Sequence, residues 1–266
     1  MISNPRHRLM GGLILGALGL AILWGRGHFW WGLLAFFPAH AALLWAGLVP
    51  ACQWLGRVVT SFRVSDGERF VWLTIDDGPE PGETEAVLDL LRAHRARATF
   101  FVIGQKAARH PHLIRRILAE GHLLGNHTQS HPEKWFWTLP GKRVARELDE
   151  CTGTLLQITG STPEIFRSPV GMKPPSLTPL LNTRGLTLVG WTVRGFDGVS
   201  QPLGRVLQRL KTGARPGAIL LLHEGRGHAP ALLAEFLPWL DQEGYQCIIP
   251  EPTRWLPADG IPAVGC

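Results

Sequence analysis

No acidic residue occurs before Asp66, no two cysteines stand in a CxxC pair, and no cluster of Lys and Arg marks any part of the chain. Each absence excludes something. The first 63 residues hold five Arg and no acid, a charge of +5, while 22 basic and 21 acidic residues leave the remainder at +1. The pI of about 9.6 therefore comes from the N-terminal stretch. The rest offers no nucleic-acid surface, which needs cations clustered on one face. Cys52, Cys151, Cys247 and Cys266 are widely scattered, so neither a zinc knuckle nor a disulfide framework is indicated, and a reducing compartment is compatible. Internal repeats and low-complexity tracts are not evident.

What the chain does have is apolar residues, 45% of its 266 positions, and a mean hydropathy of +0.06. The excess sits at the N-terminus. After Arg6 and Arg8, residues 9–24 carry no charge; Arg26 and His28 interrupt, and a second uncharged run covers 29–55, with Trp30, Trp31, Trp45 and Trp54 near its ends. Aromatic residues at the ends of apolar runs suit membrane interfaces. These features predict a transmembrane helical hairpin over 1–55, a polar connector over 56–68 and one catalytic domain over 69–266. A cleaved signal peptide competes for the first run, but no small-residue cleavage site follows Trp24, and Pro50 weakens a lipoprotein reading of Cys52. A single anchor and a buried core hairpin remain as alternatives. Arg6 and Arg8 before the hairpin and Arg57 and Arg63 after it, against Arg26 alone in the loop, favour a two-pass protein of a bacterial-type inner membrane with its catalytic domain in the cytoplasm.

Beyond residue 69, apolar runs over 70–76, 98–103, 122–126, 164–167, 187–193, 218–223 and 245–249 alternate with amphipathic stretches over 83–95, 111–120, 142–159 and 229–243. Such alternation predicts parallel strands with helical crossovers, arranged as an open sheet or a barrel. In a barrel the strand ends meet at one mouth, and the notable polar residues fall there: Asp76, Asp77, His127, Arg167, Asp197 and His223. That coincidence favours the barrel.

The stretch 71–79, VWLTIDDGP, ends an apolar run in two adjacent carboxylates and Gly-Pro. Adjacent carboxylates repel, and both stay ionised only where a cation or basic side chain neutralises them; the alternative is a solvated turn. A second constellation, NHTQSHP over 126–132, places His127 and His131 four apart. On one helical turn they would face the same way, as two imidazoles on one divalent ion do, although such pairs are commonly surface residues. If Asp77 joins them on a metal, Asp76 is free to take a proton from bound water. His223 ends the apolar run 218–222, where it either protonates a leaving amine or merely caps a buried strand.

These motifs resemble the polysaccharide deacetylase family (carbohydrate esterase family 4, the nodulation-type deacetylase domain), from residue 70 to about 250 and with five short motifs in family order. The resemblance implies an α/β fold, a distorted (β/α)7 barrel, here preceded by the transmembrane helical hairpin. T-[FI]-D-D-G-P implies Asp76 as catalytic base and Asp77 as metal ligand. H-[ST]-x-x-H-P implies His127 and His131 as the other ligands, for Zn2+ with Co2+ or Mn2+ as alternatives. R-x-P-x-G, here 167–171, implies that Arg167 orients the base and that the N–H of Val170 helps hold the oxyanion. Asp197 matches the carboxylate that tunes the catalytic histidine, and His223 matches that histidine. Val170 stands where the family usually has an aromatic residue, Gly198 where it has Trp, and Arg194 replaces a common acid. The first two open the groove, and the third adds positive charge suited to a phosphate-bearing substrate.

The implied enzyme is a metal-dependent carbohydrate N-deacetylase. Trp135, Phe136 and Trp137 follow the second histidine, either as core or as a lipid-facing patch. The expected substrate is an acylated (acetyl or formyl) amino sugar, linked to polyprenyl phosphate and processed beside membrane lipid in cell-envelope glycan biosynthesis. The alternatives are an extracytoplasmic polymer such as peptidoglycan or an exopolysaccharide, and, in another class, an inactive membrane-anchored sugar-binding or assembly protein. A complete site argues against the last.

Overall fold

The computed structural model describes residues 5–199 and 201–257. Cys266 and the last nine residues of the expected catalytic domain lie outside them. Two helices come first, α1 (Pro5–Gly25) and α2 (Phe29–Leu48), joined through Arg26–His28. They turn back on each other, and they lie so close that a Cβ on Gly32 would come within 3.1 Å of the Leu20 carbonyl oxygen. Among the described residues, α2 alone is long and apolar enough to cross a membrane; 11–25 is a shorter apolar stretch. Of the expected pair of spans, one is thus a candidate among the described residues.

Next come β1 (Val59–Phe62), β2 (Phe70–Asp76), α3 (Glu83–Ala93), β3 (Ala98–Val102), α4 (Gly104–Arg109), α5 (Pro111–Ala119) and β4 (Leu123–Asn126). Then α6 (Gly141–Thr159), β5 (Ile165–Phe166), α7 (Leu177–Asn182), β6 (Thr187–Leu188), β7 (Val193–Arg194), α8 (Leu203–Gly213) and β8 (Ile219–His223) follow. The chain closes with α9 (Ala229–Gln242), β9 (Gln246–Cys247) and β10 (Trp255–Pro257). The principal sheet runs β6-β5-β4-β3-β2-β8-β7, with β9 beside the start of β2, and its pairings are parallel. It is a curled half-barrel, and its parallel pairing through helical crossovers is what the alternation of strands and helices predicts.

Two differences from the sequence expectation have physical causes. The run expected as one strand over 187–193 is two short strands on opposite edges of the sheet, β6 against β5 and β7 against β8. Between them the chain crosses the gap of the half-barrel, where Val59 bridges Val189 and Gly190 donates to the Val59 carbonyl at 2.7 Å. The stretch 56–68, expected as a polar connector, therefore carries β1, which pairs antiparallel with β10 and buries Val59 and Phe62.

Strand β2 shows how the fold aims the site. Val71, Leu73 and Ile75 join the cluster that packs beneath the helices, while Trp72 joins Phe101, Trp191 and Leu221 inside the curl. Alternation along the strand gives Thr74 and Asp76 the same inward parity as Trp72. A polar pair thus enters an otherwise apolar interior at the end where the strands deliver their loops.

Candidate active site

Asp76 is buried, and its Oδ1 accepts a hydrogen bond from Arg167 Nη1 at 2.8 Å. Arg167 has no exposed surface. The same Nη1 also donates to Thr74 Oγ1 at 2.7 Å, while Nη2 and Nε donate to the carbonyls of Gly190 and Val189 at 2.6 and 3.2 Å. Its guanidinium lies 4.2 Å above the Phe101 ring. A planar guanidinium so constrained cannot swing away from its carboxylate. Asp76 is therefore held beside a cation and in one orientation.

Asp77 leaves the strand with φ 72°, which swings its side chain away from Asp76. Its Oδ1 lies 3.3 Å from His127 Nε2 and 3.2 Å from His131 Nε2. His127 Nδ1 lies 2.8 Å from the Arg167 carbonyl oxygen, to which it can only donate, so in the neutral ring Nε2 carries the lone pair that a metal needs. The histidines are not on a helical turn as their spacing suggested. They sit in an irregular loop in which Thr128 and His131 have φ of 67° and 52°. Side-chain bonds shape that loop: Asn126 Oδ1 accepts from Thr128 N at 2.9 Å, and Glu147 of α6 accepts from Gln129 N, Ser130 N and Ser130 Oγ at 3.1, 2.8 and 2.7 Å. Nothing in the chain near 126–132 announces Glu147; a carboxylate on the buried face of α6 was the one signal.

Asp77, His127 and His131 offer one ligand atom each, all within 4.8 Å of one another. Asp77 Oδ1 is buried with no hydrogen-bond partner, an arrangement that is costly unless a cation satisfies the oxygen. Two imidazoles and a carboxylate with room for further ligands suit zinc and similar divalent ions. Burial raises the Asp77 carboxyl, but the imidazoles beside it, His127 foremost, outweigh it and hold the group well below the usual range. Burial, reinforced by neighbouring His127, lowers His131 to about 4. Burial also disfavours charge on His127, yet Asp76 and Asp77 together raise it.

His223 ends β8, which pairs with β2 so that His223 stands opposite Asp76. Asp197 grips it twice, Oδ2 accepting from His223 N at 2.7 Å and Oδ1 facing Nδ1 at 2.9 Å. Burial works against the imidazolium, but the Asp197 carboxylate prevails and the pKa is raised. Gly198 packs against this ring, where a Cβ would lie 3.3 Å from it. Asp76, Asp77, His127, His131, Asp197 and His223 line one cleft of about 630 Å³, together with Val170, Trp191, Arg194 and Arg226. Val170 is half-exposed at its rim with φ 47° and ψ 19°. A β-branched residue in that region typically costs about 1–3 kcal/mol and persists only where its surroundings impose it. Arg194 lies over the Phe196 and Trp191 rings at 4.2 and 5.4 Å. Of the aromatic trio after His131, Phe136 is core and Trp135 is exposed.

A family model described as polysaccharide deacetylase matches residues 63–189. A chitooligosaccharide deacetylase of Bradyrhizobium is 39% identical over 163 residues, covering 60% of this chain and 72% of its own. A peptidoglycan-N-acetylglucosamine deacetylase of Bacillus cereus is 32% identical over 71% of this chain and 89% of its own. Among solved structures, a peptidoglycan deacetylase of Bacillus subtilis superposes with a TM-score of 0.64 at 28% identity, covering 69% of this chain and 89% of that one. A family 4 carbohydrate esterase of Streptomyces lividans, in complex with acetate, gives 0.64 at 29%, covering 71% and 98%.

Proposed function

The chain belongs to the polysaccharide deacetylase family, and from that premise we propose that it removes the acetyl group from an N-acetylated amino sugar of a saccharide of chitooligosaccharide or peptidoglycan type. One observation carries the reading: an Asp77–His127–His131 cluster, an Asp197–His223 pair and Asp76, held from behind by buried Arg167, meet at the same cleft. Asp77, His127 and His131 would hold a divalent ion, which when bound would supply Lewis-acid polarisation of the acyl carbonyl and a lowered water pKa. Asp76, fixed by Arg167, accepts the proton of the attacking water. The N–H of Val170 donates to the oxygen that becomes negative. His223 donates a proton from Nε2 to the departing amine, while Asp197 holds Nδ1 and so selects the tautomer. Every group needed is present, which speaks against an inactive barrel.

The finer reading is a sugar linked to a lipid phosphate. It is supported by the apolar α2 leading into the domain and by Arg194 and Arg226 on the cleft wall, cations suited to a phosphate. A cytoplasmic domain rests on the arginine distribution alone. A reporter fused after residue 266 tests it, and a periplasmic signal moves the substrate to an extracytoplasmic polymer. To test the activity, full-length protein with Zn2+ or Co2+ is incubated with free, polymeric and lipid-linked N-acylated amino sugars. Acetate release that stops in His127→Ala, together with loss of bound metal, is the expected outcome; metal retained in that variant refutes the ligand set.

A further inference from the structure

The loop that carries Val170 is fastened to the end of α2 as well as to the barrel. Lys173 is buried, with only 3% of its surface exposed. Its ammonium donates to the carbonyls of Val49, Pro50 and Cys52 at 2.7, 2.9 and 2.7 Å. Its backbone N–H donates to the Gly47 carbonyl in the last turn of α2 at 2.8 Å. Gly171, with φ 75°, lies so close to the same segment that a Cβ there would come within 2.6 Å of the Pro50 ring and 2.7 Å of Trp191. The contact is therefore continuous from the end of the apolar helix to the cleft wall.

An ammonium has three donors, and three carbonyls use all of them. Among the described residues no carboxylate is a hydrogen-bond partner of this ammonium, and carbonyl dipoles satisfy its charge at the helix end where a cation is favoured. Burial pushes its pKa down to about 8, which leaves it charged at neutral pH. Two segments can cohere through apolar contact without desolvating a charge. What the ammonium adds is direction: it fixes the path of 49–52 relative to residue 173. The turn itself is closed by Gly171 N to Ser168 O at 2.9 Å and Met172 N to Pro169 O at 3.1 Å. Lys173 is where that turn meets a body outside the barrel.

Resting on the reading of the Val170 N–H as oxyanion donor, we propose that Lys173 is a positioning residue: it locks the end of α2 onto the 168–173 turn and so holds the left-handed Val170 over the cleft. α2 then acts on the chemistry as well as on attachment, and disturbing its terminus disturbs the transition state.

The test uses full-length Lys173→Met and Gly47→Ala in detergent, the latter because its methyl would press on the Lys173 carbonyl from 3.1 Å. Zinc content, acetate release from penta-N-acetylchitopentaose, and binding of the corresponding methylphosphonamidate, a tetrahedral mimic, are measured. Loss of a whole oxyanion donor costs about 10²–10³ in rate. A misplaced one should therefore cost roughly ten- to a hundredfold in kcat for Lys173→Met and about two- to tenfold for Gly47→Ala. KM and zinc content should be unchanged, and affinity for the mimic should fall in step with kcat. Zinc-loaded Lys173→Met with kcat within about twofold of wild type overturns the proposal. So does a loss of kcat with undiminished binding of the mimic. If Lys173→Met does not fold, Gly47→Ala decides, and unchanged kcat there overturns it. No zinc-dependent acetate release by the wild type sinks the underlying reading instead, so the two failures are told apart.

Discussion

Asp76 and Asp77 are neighbours in the chain with unlike environments, because the strand ends between them. Asp76 keeps the inward parity of Thr74 and pairs with Arg167; Asp77, at φ 72°, turns to the two histidines. Separate roles follow, and so does a separable experiment. Asp76→Asn should retain bound zinc and lose about 10²–10⁴ in kcat, the range for a general base, as read from acetate release alongside metal content. The other pair predicts a pH effect. His223 has a raised pKa and must be protonated to act as an acid, so activity is kept below that pKa and lost as pH rises through it. Asp197→Asn removes the charge that opposes burial. The alkaline limb of kcat/KM should move to lower pH, with about a tenfold or greater loss at pH 7. An unmoved limb would deny Asp197 that influence.

At the scale of elements, the site is assembled from loops that each borrow an anchor from elsewhere. The 127–131 loop hangs on Glu147 of α6, which accepts three hydrogen bonds from it. The loop after β8 hangs on Glu83 of α3, which accepts from Gly225 and Ala229 at 2.7 and 3.0 Å. Anchors of this kind orient ligands without touching the metal, and their loss typically weakens metal binding about 10–100-fold. Glu147→Ala should raise the zinc dissociation constant by that factor in a competition titration with a chelating dye. Undiminished affinity would mean that the loop holds its shape unaided. The helices were legible from amphipathic spacing, since α3, α5, α6 and α9 fall within or close to their expected ranges. The short elements α4 and α7, and β1 in the expected connector, were not, because each depends on contacts made after the sheet has curled.

For the molecule as a whole, metal and fold should be thermodynamically linked. An ion that binds only the folded chain stabilises it by about 2.7 kcal/mol at a hundred times its dissociation constant. For a domain of this size that corresponds to about 5–10 °C in Tm. Chelation should therefore lower the melting temperature by that much and readdition of Zn2+ should restore it, both absent in Asp77→Ala; equal shifts in that variant would place the ion elsewhere. The sequence by itself determined the alternation of strands and helices, the strand end that delivers Asp76 and Asp77, the apolar N-terminus and the identity of the acid, base and ligand candidates in the cleft. Those are local properties, written in periodicity and short motifs. Only the tertiary structure decided that Thr74 and the carbonyls of 189 and 190 hold Arg167 against Asp76, that residues 187–194 serve both edges of an open curl, that the two histidines meet through left-handed turns instead of a helix, and that Lys173 ties α2 to the Val170 loop. Each of these joins residues far apart in the chain. No window of sequence holds both partners, and the geometry exists only once the sheet has curved far enough to bring its edges together.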